Sequence, residues 1–242
     1  MVITDYKIAA DLPKTLTIAA VSDLHDRSWE KINESLISRN PDIVAILGDL
    51  ISLDLTDNCI SLLSACSSIA PTVYSLGNHE SGLKYGDLTA INKTGAIVLD
   101  DDSMEIDGII IGGLSSGYRF QKDQPRKKKL FGRYSQGPKP NLDWLDTFSG
   151  LPGFKILLCH HSEYYASYIR QLDIDIILAG HAHGGQIRIM NQGLFAPNQG
   201  FFPKWTSGIH ENRLVISRGL ANTARWIPRF ANPEELVYVT VG

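Results

Sequence analysis

The sequence predicts an α/β protein built around a mixed β-sheet, or two. Three observations carry this. Short apolar, partly β-branched runs recur along the chain, stretches of helical hydrophobic period lie between several of them, and Gly-rich turns crowd the strands together after residue 108. The first run, 16–22, is Leu-Thr-Ile-Ala-Ala-Val-Ser, apolar at successive positions and so a strand buried on both faces. Helical periodicity at 29–38 follows, then a strand at 43–47 launched by Asn-Pro-Asp, a helix at 56–69, a strand at 72–76 behind Pro71, and a helix at 86–94. Beyond Asp107-Gly108 come strands at 109–111, 155–159, 174–179, 214–217 and 236–241, with helical stretches only at 141–148 and 162–171. Antiparallel pairing is therefore expected to join the parallel part. Residues 117–140, with Pro-Arg-Lys-Lys-Lys and Gly-Pro-Lys-Pro, read as a long surface loop rather than a linker. No internal repeat divides the chain, so residues 1–242 are expected to form a single domain.

Composition narrows the function class. With 43% hydrophobic and 20% charged residues, disorder is excluded as a global reading. Lys plus Arg number 23 against 26 Asp plus Glu, a net charge of −3, so no whole-molecule positive field attracts nucleic acid and an anionic substrate must be held locally. Cys59, Cys66 and Cys159 form neither a CxxC nor an even set, which argues against a disulfide framework or a cysteine zinc site and fits a reducing, cytoplasmic setting. The first residues lack a basic stretch followed by a long apolar one, and no run of about 18 apolar residues occurs, so a soluble chain is expected.

Five segments share one layout, in which an apolar strand ends and a His, Asp or Asn follows beside a small residue. They are Ser22-Asp23-Leu24-His25, Gly48-Asp49-Leu50, Gly77-Asn78-His79-Glu80, Cys159-His160-His161 and Gly180-His181-Ala182-His183, and of seven histidines only His210 lies outside them. Open α/β sheets form sites at the carboxyl ends of strands, where such segments converge. An isolated Asp-x-His or Gly-Asp is ordinary strand-end chemistry; the joint occurrence is what points to a site. In extended chain, residues i and i+2 point the same way, so Asp23 with His25, and His181 with His183, are expected to present paired ligands. A set of carboxylate, amide and imidazole without thiolate suits Mn, Fe, Zn or Co in a five- or six-coordinate site, and more than four candidates imply two divalent metal ions.

In these blocks the chain resembles the calcineurin-like metallophosphoesterase superfamily, whose pattern is Asp-x-His, Gly-Asp, Gly-Asn-His-Asp/Glu, His, Gly-His-x-His. The tail is similar to a subgroup of bacterial phosphodiesterases like YaeI and YkuE, through Gly-His-Ala-His-Gly-Gly-Gln-Ile-Arg at 180–188, Gly-Leu-Phe-Ala-Pro-Asn-Gln-Gly at 193–200 and Ser-Arg-Gly-Leu at 217–220. The resemblance implies two packed mixed β-sheets flanked by helices, a four-layer αββα sandwich. It implies that Asp23, His25 and His183 hold one metal, that Asn78, His160 and His181 hold the other, and that Asp49 bridges them. His160 rather than His161 takes the ligand role by alignment of Leu157-Leu158-Cys159-His160-His161-Ser162-Glu163 with the subgroup's Leu-Leu-x-His-x-Pro-Glu. His79 is then the non-ligand catalytic histidine, with Glu80 or Asp54 as candidates to orient it. Ser162 replaces the usual Pro, and Asp26 stands where a small or hydrophobic residue is common, departures expected to bear on substrate.

The implied activity is hydrolysis of a phosphodiester, phosphomonoester or pyrophosphate bond by in-line attack of a hydroxide bridging two cations. The alternatives are a pyrophosphatase acting on UDP-diacylglucosamine and a non-catalytic metal-binding scaffold, as in the retromer subunit of this fold. No nucleic-acid partner is indicated. Tyr118-Arg119-Phe120, Phe201-Phe202-Pro203-Lys204-Trp205 and Trp226-Ile227-Pro228-Arg229-Phe230 place aromatics beside cations. They suggest a phosphorylated lipid or lipid-linked sugar as substrate and peripheral contact with an anionic membrane. Arg126-Lys127-Lys128-Lys129 reads as a solvated face, Cys159 as a small buried strand residue, and His161 and His210 as packing or surface histidines. Arg188 and Arg218 follow strand ends, and sequence does not separate substrate contact from ion pairing for them.

Overall fold

A computed structural model describes residues 1–116, 139–222 and 228–242. The chain begins with β1 (Val2–Ile8), β2 (Leu16–Val21), α1 (Glu30–Arg39), β3 (Ile43–Ile46), α2 (Asp57–Ile69), β4 (Thr72–Ser75), α3 (Tyr85–Lys93) and β5 (Ile97–Leu99). It continues with β6 (Asp102–Ile106), β7 (Ile109–Leu114), α4 (Leu142–Ser149), β8 (Phe154–His161) and β9 (Ile176–Gly180). Two small hairpins follow, β10 (Arg188–Ile189) with β11 (Gln192–Gly193) and β12 (Phe195–Ala196) with β13 (Gly200–Phe201), and the chain ends through β14 (Gly208–His210), β15 (Leu214–Ile216) and β16 (Glu235–Val241).

Two six-stranded mixed sheets result, ordered β1-β16-β2-β3-β4-β5 and β14-β15-β9-β8-β7-β6. In the first, β16 runs antiparallel to β2 and the pairs from β2 to β5 are parallel; in the second, β15, β9, β8 and β7 are parallel and the edge strands β14 and β6 are antiparallel. Period-2 alternation assigns the faces. Ala19 and Val21 of β2 meet Ile32 and Leu36 of α1 and Leu62 and Leu63 of α2, whereas Ile18 and Ala20 join Ile156, Leu158 and Leu178 between the sheets. Leu157 and Cys159 of β8 turn outward onto Leu145 and Phe148 of α4. The order is therefore helix, sheet, sheet, helix. α4 lies close because β7 carries Gly112 beneath it, where a Cβ would come within 2.7 Å of the Phe148 ring.

The structure adds what periodicity missed. β1 is mostly exposed along Val2–Ile8 and pairs only with β16, so it lacks the apolar run of a central strand. The 162–171 stretch forms a five-residue π-type turn, Tyr165–Ile169, rather than a full helix. The Asp107-Gly108 signal is a two-residue hairpin turn, with φ of 51° and 79°, joining β6 to β7. Most of the 117–140 loop, with its Arg126–Lys129 run, lies outside the described residues.

Candidate metal centre

The parallel strands β2, β3, β4, β8 and β9 deliver their carboxyl ends to one place, and side chains stitch the two sheets together there. Ser75 Oγ at the end of β4 donates to Leu158 O at 3.2 Å, and His160 Nδ1 of β8 lies 2.8 Å from Leu47 O just beyond β3. The chain does not stay extended past these ends. Asp23, His25, Asp49, His181 and His183 have φ of 53°, 50°, 52°, 65° and 46°. The i, i+2 expectation for extended backbone is thus corrected: the pairs converge through left-handed turns, a conformation that costs L-residues free energy and collects at functional sites. Gly48, at φ 87°, permits a close approach of the β3 and β4 loops, since a Cβ there would meet Gly77 Cα at 2.6 Å.

Asp23, His25 and His183 form one cluster of ligand atoms and Asp49, His160 and His181 another, each within 4.8 Å, and Asp49 with His25 and His79 forms a third. Asp49 links them: its Oδ2 is 3.2 Å from His160 Nε2, 3.9 Å from His25 Nε2 and 3.8 Å from His79 Nε2. His183 Nε2 is 3.5 Å from Asp23 Oδ1, and His181 Nδ1 is 3.2 Å from His160 Nε2. The Nδ1 atoms of His25, His160 and His183 each face a backbone carbonyl, of Ile51, Leu47 and Ala221, at 3.2, 2.8 and 3.1 Å. That orientation leaves each Nε2 lone pair turned into the cluster, as a metal-ligating imidazole requires. Asp23 Oδ1, His25 Nε2 and Asn78 Oδ1 are buried with no hydrogen-bond partner. Buried polar atoms are rarely left so, and an arrangement of lone pairs without donors fits divalent cations.

The electrostatics divide the set. Burial would raise the Asp49 carboxyl, yet His160, His79 and His25 hold it well below the usual carboxylate range. Burial keeps His25 neutral, its pKa pushed down to about 4, and lowers His181 and His183 as well. His160 goes the other way, to about 10: burial lowers it, but the Asp49 carboxylate outweighs burial.

His79 stands at the rim, half-buried, its Nδ1 against Ser52 O at 2.5 Å and its ring edge-on to His25 at 4.7 Å. Neither proposed orienting acid touches it. Asp54 is exposed, and the buried Glu80 carboxylate instead accepts the backbone N–H groups of Gly77, Asp49 and Leu50 at 2.7, 2.9 and 2.9 Å and the Tyr74 hydroxyl at 2.7 Å. Asp26, expected to bear on substrate, accepts from Ser52 N at 2.7 Å, Thr56 Oγ1 at 2.9 Å and Cys59 Sγ at 2.9 Å, and so ties the β2 loop to the start of α2.

Sequence reasoning missed Glu163 and Asn198. Glu163 Oε1 accepts from His161 Nδ1 and Asn198 Nδ2 at 2.9 and 2.8 Å and lies 3.9 Å from His181 Nε2, beside the ring-to-ring contact of His161 with His181 at 4.1 Å. Only the spacing of Glu163 from His160 hinted at this. His161 is thus buried against the cluster rather than on the surface. Arg218 pairs with Glu235 at 2.8 Å. Of the aromatics, Trp205 is buried against Tyr165, which corrects its place in an apolar rim, whereas Phe201, Phe202 and Phe230 are exposed. Tyr118, Arg119, Phe120, Trp226 and Ile227 lie outside the described residues. No helix among the described residues is long and apolar enough to cross a membrane.

Comparison with known proteins gives the following likenesses. An uncharacterized metallophosphoesterase, Cj0846 of Campylobacter jejuni, is 29% identical over 96% of this chain and 60% of its own length. YpbG of Bacillus subtilis, also uncharacterized, is 29% identical over 94% of this chain and 82% of its own. An uncharacterized Helicobacter pylori metallophosphoesterase is 26% identical over 73% of this chain and 46% of its own length, so the chain spans between about half and four-fifths of these relatives. Among solved structures, a novel archaeal phosphodiesterase matches 88% of this chain and 90% of its own at 16% identity and a TM-score of 0.44. The model of the calcineurin-like phosphoesterases matches residues 16–185, and the chain belongs to that family.

Proposed function

We propose that the chain is a phosphohydrolase that uses two divalent ions, of Mn, Fe, Zn or Co, to cleave phosphodiester bonds, with phosphomonoesters and pyrophosphates as related substrates. The observation that carries this reading is the pair of His/Asp clusters joined through Asp49, with Asp23 Oδ1, His25 Nε2 and Asn78 Oδ1 enclosed and unpartnered. Asp23, His25 and His183 would hold one ion, Asn78, His160 and His181 the other, and Asp49 both. Bound there, two cations supply an activated water at neutral pH and neutralise the charge growing on the phosphoryl oxygens.

The chain's own groups supply the rest. His79 turns Nε2 toward the centre while Ser52 O fixes Nδ1, so that Nε2 can hold a proton and pass it to the leaving-group oxygen. Glu80, by gathering the Gly77 and Asp49 amides, sets the two loops that carry Asn78 and Asp49 at a fixed spacing. Glu163 lies near His181 Nε2 and would orient that imidazole, leaving Nδ1 for the ion.

Turnover of bis(p-nitrophenyl) phosphate with added Mn²⁺ tests the reading, and a scaffold without catalysis would show none. Asp49→Ala is expected to lose both activity and metal together, because one carboxylate offsets two cations that repel at close range. A purified Asp49→Ala protein that still held two equivalents of metal by elemental analysis would remove Asp49 as the bridge. Exposed Phe201, Phe202 and Phe230 favour a second reading of the substrate, a phosphorylated lipid or lipid-linked sugar met at an anionic membrane. Absence of co-sedimentation with anionic vesicles at low salt would leave a soluble phosphodiester.

A further inference from the structure

Beyond the metal centre, a separate cavity of about 520 Å³ opens between β1, β14, the β10–β11 hairpin and the start of β16. None of the clustered Asp and His residues lines it. Its walls carry three cationic side chains, Arg188, Lys204 and Arg218, against one carboxylate, Glu235, in a chain whose net charge is −3. Glu235 is already committed: it accepts Arg218 Nη2 at 2.8 Å, Arg218 N at 3.0 Å and Thr4 Oγ1 at 2.5 Å. Arg188 makes no hydrogen bond or close ion pair with a carboxylate among the described residues, and Glu235 attracts it only from a distance. Its guanidinium is aimed by neutral acceptors, Gly184 O at 2.8 Å, Thr206 Oγ1 at 3.4 Å and Asn191 O. Burial, and then the positive charge of Arg218, disfavour its protonated form, and the Glu235 carboxylate offsets this only in part. Two guanidiniums that repel each other across a cavity, with an exposed lysine at its edge, are held at a cost that a bound anion offsets. The surplus of two positive charges matches a dianion, forked guanidinium donors match phosphoryl oxygens, and the volume leaves room for an organic body.

We propose that this cavity is a second ligand site, which takes a phosphoryl-bearing molecule on Arg188, Lys204 and Arg218, apart from the metal centre. The two sites are mechanically close. Arg188 grips the carbonyl of Gly184, next to His183, and Arg218 precedes Gly219, where a Cβ would meet Asp23 Cβ at 2.8 Å. Occupancy of the cavity therefore bears on the loops that position Asp23 and His183.

Isothermal titration with inorganic phosphate tests this, with wild type and the cavity variants loaded with Mn²⁺ and Asp49→Ala titrated without metal. Wild type is expected to bind phosphate at the cavity, Arg188→Met with Lys204→Met to lose that site or weaken it at least tenfold, and Asp49→Ala to retain it. Lys204→Met alone, at an exposed side chain, is expected to weaken it severalfold, which keeps the test valid if the double variant folds poorly. If the metal centre binds no phosphate, wild type and Asp49→Ala titrate alike and the cavity site still stands. Vesicles carrying phosphatidic acid distinguish the source. Co-sedimentation abolished by the double variant, with no phosphate bound in solution, assigns the same phosphoryl recognition to a lipid headgroup. Equal phosphate binding by wild type and both cavity variants, with no variant-sensitive co-sedimentation, overturns the proposal.

Discussion

Glu80→Gln is the most informative single change, because one buried carboxylate holds the backbone of two ligand-bearing loops. Oε2 accepts from Asp49 N and Gly77 N, while Oε1 accepts from Leu50 N, the Tyr74 hydroxyl and, at 3.4 Å, Ile51 N. A glutamine must place its NH₂ on one side. The Oε1 side is the less costly, since the Tyr74 hydroxyl can turn to accept, but Leu50 N then faces a donor and the long bond to Ile51 N is lost. At ~1.5–3 kcal/mol for a hydrogen bond to a charged group, and less for the long one, the loss is about 2–4 kcal/mol. Burial and then the Asp49 carboxylate raise the Glu80 pKa, so removing its charge relieves some repulsion and favours the lower part of that range. Urea unfolding of the metal-free protein, followed by tryptophan fluorescence, measures it. Displacement of the Asp49 loop is also expected to weaken metal affinity by about 10–100-fold, as loss of a group supporting a ligand does. A change under about 1 kcal/mol with unaltered metal affinity would refute the clamp.

His79→Ala is expected to lower kcat by about 10²-fold or more while metal content stays at the wild-type level, with the smallest effect on p-nitrophenyl leaving groups. Equal losses for p-nitrophenyl and alkyl leaving groups would remove the proton-donor role. The metal-free protein is expected to be most stable near pH 6.5. His25, its folded pKa pushed down to about 4 chiefly by burial, contributes stability that is present above 6.5 and lost as the pH falls toward 4. His160, lowered by burial but raised on balance by Asp49 to about 10, contributes stability that is full below 6.5 and lost as the pH rises toward 10. Urea midpoints that climb steadily from pH 5 to pH 9 would contradict this.

The central strands were legible in the sequence because those buried on both faces, such as 16–22 and 43–47, leave continuous apolar runs that survive any detail of packing, whereas their division into two packed sheets followed from the family resemblance alone. β1 left no such trace, since Val2–Ile8 alternates, is mostly exposed with only Ile8 buried in the core, and takes its place by pairing with β16 more than 230 residues away in register Val2 to Glu235. The five strand-end blocks were legible for a related reason: each sits where a run stops, and parallel topology brings those stops together. What lay beyond them depends on contacts no spacing encodes. Glu80 adjoins His79 in sequence yet turns away from it to the Asp49 amide, and Asn198 reaches Glu163 from a loop 35 residues distant. The pairing of i with i+2 assumed extended backbone, which the left-handed residues at 23, 25, 181 and 183 do not have.

Those left-handed residues carry a consequence for the metal-free state. Asp23, His25, Asp26, Asp49, His181 and His183 all have positive φ, and at ~1 kcal/mol or more each the loops store several kcal/mol of backbone strain. Without metal they are held by the Glu80 clamp on Asp49 N, the Asp26 bonds to Ser52, Thr56 and Cys59, and backbone bonds that include Asp23 N to Gly48 O at 3.1 Å, His25 N to Asp49 O at 3.1 Å, Asp26 N to Leu50 O at 3.0 Å, and His181 N to Asp23 Oδ2 at 3.1 Å. Local opening that releases strain and relieves the proximity of buried carboxylates is less costly than global unfolding. A ligand present at ~1,000 times its dissociation constant stabilises the state it binds by ~4 kcal/mol. Metal removal is therefore expected to speed amide exchange at His25, Asp26 and His181 by about 10³-fold, while amides inside β3 and β9 keep their protection. Exchange that rises equally in the strands would mean that metal supports the whole fold, and exchange unchanged at all three amides would mean that the protein's own bonds suffice to hold the strained loops.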